Sequence, residues 1–133
     1  MATFVKQATK SKRKPAREAA GRRTAGLAEA HQGFCPRFHH AVELVGRRWT
    51  GAIVRALIAG PRRFNELLAT VPGLSDRLLS ERLRELEAEN LVRRMVDPGP
   101  PVAVRYELTC AGHELEPAMT ALGRWAEKWI PAQ

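Results

Sequence analysis

A chain of 133 residues with 44% hydrophobic side chains has room for one domain with a real core plus a tail, and no apolar run approaches the roughly 18 residues of a membrane span. The N-terminus lacks the uninterrupted apolar segment of a secretory signal peptide, and two distant cysteines, Cys35 and Cys110, argue against a disulfide scaffold and for a reducing cytoplasm. Net charge is +8, but residues 1–33 hold eight Lys or Arg and two Glu, a net +6, while the remaining hundred hold fourteen basic and twelve acidic groups, a net +2.

The high pI therefore belongs mostly to the tail and does not by itself make the folded part a nucleic-acid binder. Residues 1–33 are rich in Ala, Lys, Arg and Gly, with almost no large apolar side chain after Val5. Such a stretch cannot bury enough surface to offset the entropy of ordering, so it is expected to be disordered. Lys10, Lys12, Arg13, Lys14, Arg17, Arg22 and Arg23 can touch phosphates without reading bases, or serve solubility alone.

Order is expected from Phe34, over residues 34–133. Cys35-Pro36 starts a helix with proline where its missing N–H costs nothing, and Phe38, Ala41, Val42 and Val45 give it a stripe that Gly46 ends. A second helix is predicted from about Arg48 to Ala59, stopped by Gly60-Pro61. Arg62-Arg63-Phe64 reads as a short extended piece, and Asn65 as the cap of a brief helix, Glu66 to Val71, closed by Pro72-Gly73.

The next helix has both ends written in the sequence. Ser75 is a good N-cap, Asp76 places negative charge in the first turn, and Leu74 and Leu79 stand at the spacing of a hydrophobic staple. Asn90 tolerates the left-handed conformation that often ends a helix. Between them Leu79, Leu83 and Leu86 form one apolar stripe, and Arg77, Ser80, Glu81 and Arg84 lie on the opposite face. Such a face suits the major groove, where Arg grips guanine and Glu accepts from cytosine. Helix, tight Pro-Gly turn and amphipathic helix make a helix-turn-helix.

After Asn90 the period changes to two. Leu91 to Val96 is one strand; Val102, Val104, Tyr106 and Leu108 alternate with polar or small residues in a second. The proline-rich segment 97–101 joins them as a hairpin, which makes the unit a winged helix. A last helix is predicted from about Ala111 to Ile130, with Pro117 inside it expected to cost a hydrogen bond or bend the axis. Its stripe, Leu115, Met119, Leu122, Trp125 and Trp129, exceeds what a compact winged helix must cover. A two-fold dimer would bury it and would match palindromic DNA.

Seven short segments occur in order: Cys35-Pro36, Gly46-Arg47-Arg48-Trp49-Thr50, Gly60-Pro61-Arg62-Arg63-Phe64-Asn65-Glu66-Leu67, Pro72-Gly73-Leu74-Ser75, Leu79-Ser80, Arg82-Leu83-Arg84-Glu85-Leu86-Glu87 and Tyr106-Glu107-Leu108-Thr109. Together they resemble the HxlR family of bacterial winged-helix regulators, relatives of the MarR type, over about Cys35 to Trp125. The resemblance implies a homodimer that binds operator DNA and responds to electrophiles, oxidants or small effectors, in several members through a cysteine just before the first helix. Cys35 stands there, at a helix N-terminus whose free N–H groups and dipole favour a thiolate. Two departures stand out: Ala103 replaces a basic wing residue, and Arg105 replaces an acidic residue before the tyrosine.

The expectation is thus an α+β, mainly α, winged helix-turn-helix with a two-stranded wing and a C-terminal dimerisation helix, acting as a DNA-binding regulator that represses. The DNA-binding candidates are Ser75, Asp76, Arg77, Ser80, Glu81, Arg84, Arg62, Arg63 and Arg105, with Arg62, Arg63, Arg77 and Arg84 near one surface. Cys35 is the redox-sensor candidate, and Leu115, Met119, Leu122, Trp125 and Trp129 form the dimer interface. Expected partners are double-stranded operator DNA, a second copy and a small-molecule or oxidant effector, with no membrane, no cofactor and no metal, in a bacterial cytoplasm at the nucleoid. Cys35 and His39, four apart, would need His40, His31 or Cys110 to complete a metal site. The rival classes are a winged helix used only for protein–protein contact and a small thiol- or metal-dependent enzyme.

Overall fold

The computed structural model describes residues 33–133, so the predicted tail, Gly33 apart, lies outside the described residues. In chain order the elements are α1 (Pro36–Gly46), α2 (Thr50–Ile58), β1 (Arg62–Arg63), α3 (Phe64–Thr70), α4 (Asp76–Ala88), β2 (Val92–Asp97), β3 (Ala103–Leu108), α5 (Cys110–His113) and α6 (Glu116–Trp129). The chain divides between His40 and Ala41 into two units. In the first, the Cys35 carbonyl accepts the His39 N–H at 2.9 Å and so opens α1, and the Phe34 and His39 rings stand 5.2 Å apart. Helix α1 buries none of its residues.

In the second unit, α2 contributes Ile53, Val54 and Leu57 to the core, α3 contributes Leu67, and α4 contributes Leu79, Leu83 and Leu86. Val92 and Leu108, at the inner ends of β2 and β3, close it. Helix α2 starts at Thr50 and not at Arg48, because Trp49 adopts the left-handed conformation, with φ 76° and ψ −20°. That residue breaks the chain between α1 and α2, and its indole reaches the turn before α4. Gly73 has φ +84°, and a Cβ there would sit 3.2 Å from the Trp49 ring, so the Pro72-Gly73 turn needs glycine for conformation and for space.

Helices α3 and α4 and the turn between them are the predicted helix-turn-helix. The Ser75 hydroxyl accepts the Leu78 N–H at 3.2 Å, as its capping role requires. At the other end Asn90 has φ 58°, its N–H reaches the Glu87 carbonyl, and the Leu91 N–H reaches the Leu86 carbonyl, both at 2.9 Å. This pair of bonds is the Schellman arrangement. Helix α3 begins at Phe64, without an Asn65 cap, because β1 pairs with β3 and runs straight into the helix.

The sheet has three strands, antiparallel, in the order β1-β3-β2. The extended piece at Arg62-Arg63 is therefore a third strand beside the predicted two-stranded wing. The β2–β3 hairpin turns through residues 98–102, where the Pro100–Pro101 peptide is cis. Asn90, Leu91, Thr109 and Gly112 form a tight joint at its base. The Thr109 hydroxyl donates to the Asn90 carbonyl at 2.7 Å, the Thr109 N–H donates to the Leu91 carbonyl at 3.0 Å, and a Cβ on Gly112 would collide with that carbonyl.

The single last helix predicted from Ala111 to Ile130 is two helices. Thr109 caps the short α5, accepting the Gly112 N–H, and the chain restarts at Glu116 with Leu115 as N-cap. Pro117 then falls in the first turn of α6, where it removes no hydrogen bond, so the expected bend does not arise. The result is an α+β, mainly α, winged helix-turn-helix. Among the described residues no helix is long and apolar enough to cross a membrane.

Candidate nucleic-acid interface

Because Leu79, Leu83 and Leu86 are buried, α4 shows its other side to solvent. Arg77, with a side chain 90% exposed, pairs with Glu81 one turn on at 3.3 Å. Ser75 and Asp76 stand at the head of the helix, Ser80 is half-buried, and Arg84 is exposed two turns in. A helix whose first two turns offer hydroxyl, carboxylate and guanidinium groups can both donate to and accept from base edges.

The middle of α4 is held from behind by a network absent from the predicted site. Glu85 pairs with Arg47 at 2.7 Å and with Arg82 at 3.0 Å, and Arg82 Nε donates to the Arg48 carbonyl at 2.9 Å. Arg48 in turn lies over the Trp49 ring, 5.0 Å from its centroid. The Gly46–Thr50 piece of sequence is thus a bracket that seats the helix carrying the candidate DNA contacts.

Strand alternation separates the other arginines. Arg62 stands opposite Tyr106, and Tyr106 opposite Arg94, while Arg63 stands opposite Arg105, and Arg105 opposite Met95. Directly paired residues share a face. The sheet therefore puts Arg62 on the side of the buried Val92 and Leu108, and Arg63 with Arg105 on the other. The expectation that Arg62 and Arg63 lie on one surface with Arg77 and Arg84 is corrected here: neighbours along a strand point to opposite faces. Arg62 also has Glu66 at 4.0 Å, one helical turn on.

Arg94 was missed by the sequence reading. It lines a notch with Ser80, Leu83, Arg84 and Glu87 of α4 and with Tyr106. The signal was available, since a period of two from Val92 places Arg94 on the apolar face of β2. Arg93, on the outer face, is ion-paired with Glu107.

The remaining candidates fall elsewhere. Cys35 is half-buried at the head of α1, whereas Cys110, the first residue of the short α5, is exposed. Leu115 and Met119 pack against the core of their own chain, while Leu122, Trp125 and Trp129 are exposed. The Lys128 ammonium lies 5.1 Å from the centroid of the Trp129 ring. Among the described residues no three His, Cys, Asp or Glu side chains gather in a group that would hold a metal ion.

The profile of the HxlR-like helix-turn-helix family matches residues 44–133. The uncharacterized HTH-type transcriptional regulator YvaP of Bacillus subtilis (strain 168) is 47% identical over 97 residues, covering 73% of this chain and 90% of YvaP. The solved reduced form of the transcriptional regulator YodB from B. subtilis superposes with TM-score 0.68 at 40% identity, covering 74% of this chain and 96% of that one. Diamide-treated and quinone-bound YodB superpose with a TM-score of 0.64 each, at 39% and 38% identity, covering 74% and 72% of this chain and 98% and 100% of theirs. The redox regulator HypR in its oxidized form gives TM-score 0.68 at 35% identity, over 74% of this chain and 100% of that one.

Proposed function

The chain belongs to the HxlR-like helix-turn-helix family, and from that membership we propose that it is a homodimeric, sequence-specific repressor whose DNA binding responds to electrophiles or oxidants through Cys35. Its relatives are transcriptional regulators, not enzymes. The observation that carries the reading is α4: one face is wholly buried, both ends are capped, and Arg77, Ser80, Glu81 and Arg84 are left to address a major groove. Arg62, on the α4 side of the sheet, adds a backbone contact, Arg63 and Arg105 can reach DNA only from the other face of the wing, and residues 1–33 add phosphate contacts that carry no sequence information. The exposed Leu122, Trp125 and Trp129 of α6 pair with those of a second copy, setting two α4 helices on half-sites about 34–36 Å apart. The site of action is operator DNA in a bacterial cytoplasm.

An unbiased selection from random duplexes tests the DNA reading. A two-fold site with half-sites one turn apart is expected, and the same site should appear by footprinting upstream of the protein's own gene. Failure to enrich any sequence would sink it. The sensing reading draws on YodB, solved in diamide-treated and quinone-bound forms, and on HypR, solved oxidized. Diamide or quinone should lower operator affinity of the wild type and leave Cys35→Ser unaffected. Full affinity after mass spectrometry shows Cys35 modified would rule the switch out.

A further inference from the structure

We propose that Arg94 and Arg84 form a phosphate-binding notch where the wing sheet meets α4, and that it grips the DNA backbone beside the groove α4 enters. The inference rests on the reading of α4 as the recognition helix. Its starting point is the wing itself. From Asp97 to Val104 the hairpin tip contains no Lys or Arg, so it offers no cation to a phosphate. Any cationic side chain that the wing offers to the DNA backbone must come from the bodies of its strands.

Three strand arginines are available there, and the structure separates them. Arg93 is neutralised by Glu107 on the outer face, and Arg105 points to that same face. Arg94 alone of the three faces α4. The cross-strand row Arg62, Tyr106, Arg94 puts a guanidinium on each side of a half-buried tyrosine, with the two strand positions roughly 10 Å apart, two strand spacings. Arg84, the last of the groove-facing residues of α4, enters the same notch, so its guanidinium is directed to the phosphates that border the groove and base reading is left to Arg77 and Glu81.

Charge gives the notch its ligand class. Among the described residues neither Arg84 nor Arg94 has an ion-pair partner, whereas Arg47, Arg62, Arg77, Arg82 and Arg93 all do. Glu87 is the one carboxylate lining the notch, so two guanidiniums face one negative group. A guanidinium carries five N–H donors in a planar fork that matches the oxygens of a phosphate. Arg94 lies on the core-facing side of its strand yet is exposed, so its guanidinium is open to an anion. Position selects the backbone over the bases. A recognition helix reads bases with its N-terminal residues, and the notch lies beside Arg84 and Glu87, toward the C-terminal half of α4.

The test measures binding of the full chain to its selected duplex and to a random duplex across a salt series. Arg94→Ala should weaken both by a similar factor, roughly tenfold, as expected for one lost charge-assisted hydrogen bond. It should also make the slope of log affinity against log salt shallower by about one. Arg94→Lys should restore most of the slope, and Arg93→Ala should leave it unchanged. Circular dichroism and thermal unfolding check that each variant is folded, and Arg94→Gln serves if Arg94→Ala is not. An unchanged slope in a folded variant overturns the notch, and so does a loss confined to the selected duplex, which would make Arg94 a base reader. If the wild type enriches no sequence but Arg94→Ala still flattens the slope on random DNA, the notch stands and the sequence-specific reading falls. A wild type that binds neither duplex overturns both.

Discussion

Helices α4 and α6 are nearly equal in length, 13 and 14 residues, and both carry an apolar stripe at helical spacing. In α4 the stripe is fully covered by the chain's own core: Leu79 and Leu86 are 0% exposed and Leu83 2%. In α6 the first half of the stripe packs inward and the second half does not, leaving Leu122 at 56%, Trp125 at 55% and Trp129 at 64%. Periodicity thus announces an amphipathic helix but not what covers it. A helix whose apolar side is satisfied internally can commit its polar side to recognition. One whose apolar side is left open by its own domain calls for a partner.

The sharpest way to break this contrast is to truncate one leucine in each helix. Leu79→Ala should cost about 2–5 kcal/mol of stability in urea unfolding, since it removes a fully buried side chain at the centre of the core. Leu122→Ala, measured dilute enough to be monomeric, should cost within about 0.5 kcal/mol, the scale of a surface change. Equal costs would mean that α6 is covered within the chain after all. Next in size is Trp129→Glu, which should weaken association by about 2 kcal/mol or more, the scale of an interfacial tryptophan. Light scattering at micromolar concentration reads it, and a variant that remains dimeric would remove Trp129 from the interface. Below these two losses comes Ser75→Ala, which should lower stability by about 1 kcal/mol through the lost cap. A neutral result would show that the Leu78 N–H finds water instead.

The elements that were legible in the sequence are those with local causes. Ser75 and Asn90 mark the ends of α4 because capping and the left-handed turn are decided within a few residues. The alternation of Val104, Tyr106 and Leu108 likewise fixes which side of β3 faces the core. What escaped depends on distant pairing. The third strand at Arg62-Arg63 exists because Arg105 and Tyr106, more than forty residues on, supply its hydrogen-bonding edge. The Glu85 bracket joins residues thirty-four or more apart, so spacing along α4 shows only a charged face. Pro117 was misplaced for a different reason: Thr109 and Pro117 each open a helix, and two starts so close together look like one helix with a defect. The candidate site was legible on α4 and incomplete on the sheet, where the partition of Arg62, Arg63, Arg94 and Arg105 between faces follows only from register.

The joint at Asn90, Leu91, Thr109 and Gly112 has a consequence for how such a chain can vary. It welds the end of α4, the start of β2 and the end of β3 through backbone groups and the Thr109 hydroxyl, so beyond Thr109 and Gly112 the side chains around it can change more freely than the number of residues. One residue inserted between Asn90 and Val92 would shift β2 by a single step, turning Val92 out to solvent and carrying Arg94 to the face of Arg105. The loop at 98–102 carries no such burden. Its ends are already paired, the Asp97 carboxylate accepting the Gly99 N–H is its one side-chain tie among the described residues, and added length there costs little closure entropy. Insertions and deletions among diverging copies of this chain should therefore collect at the hairpin tip, while the segment from Leu86 to Val92 keeps its length.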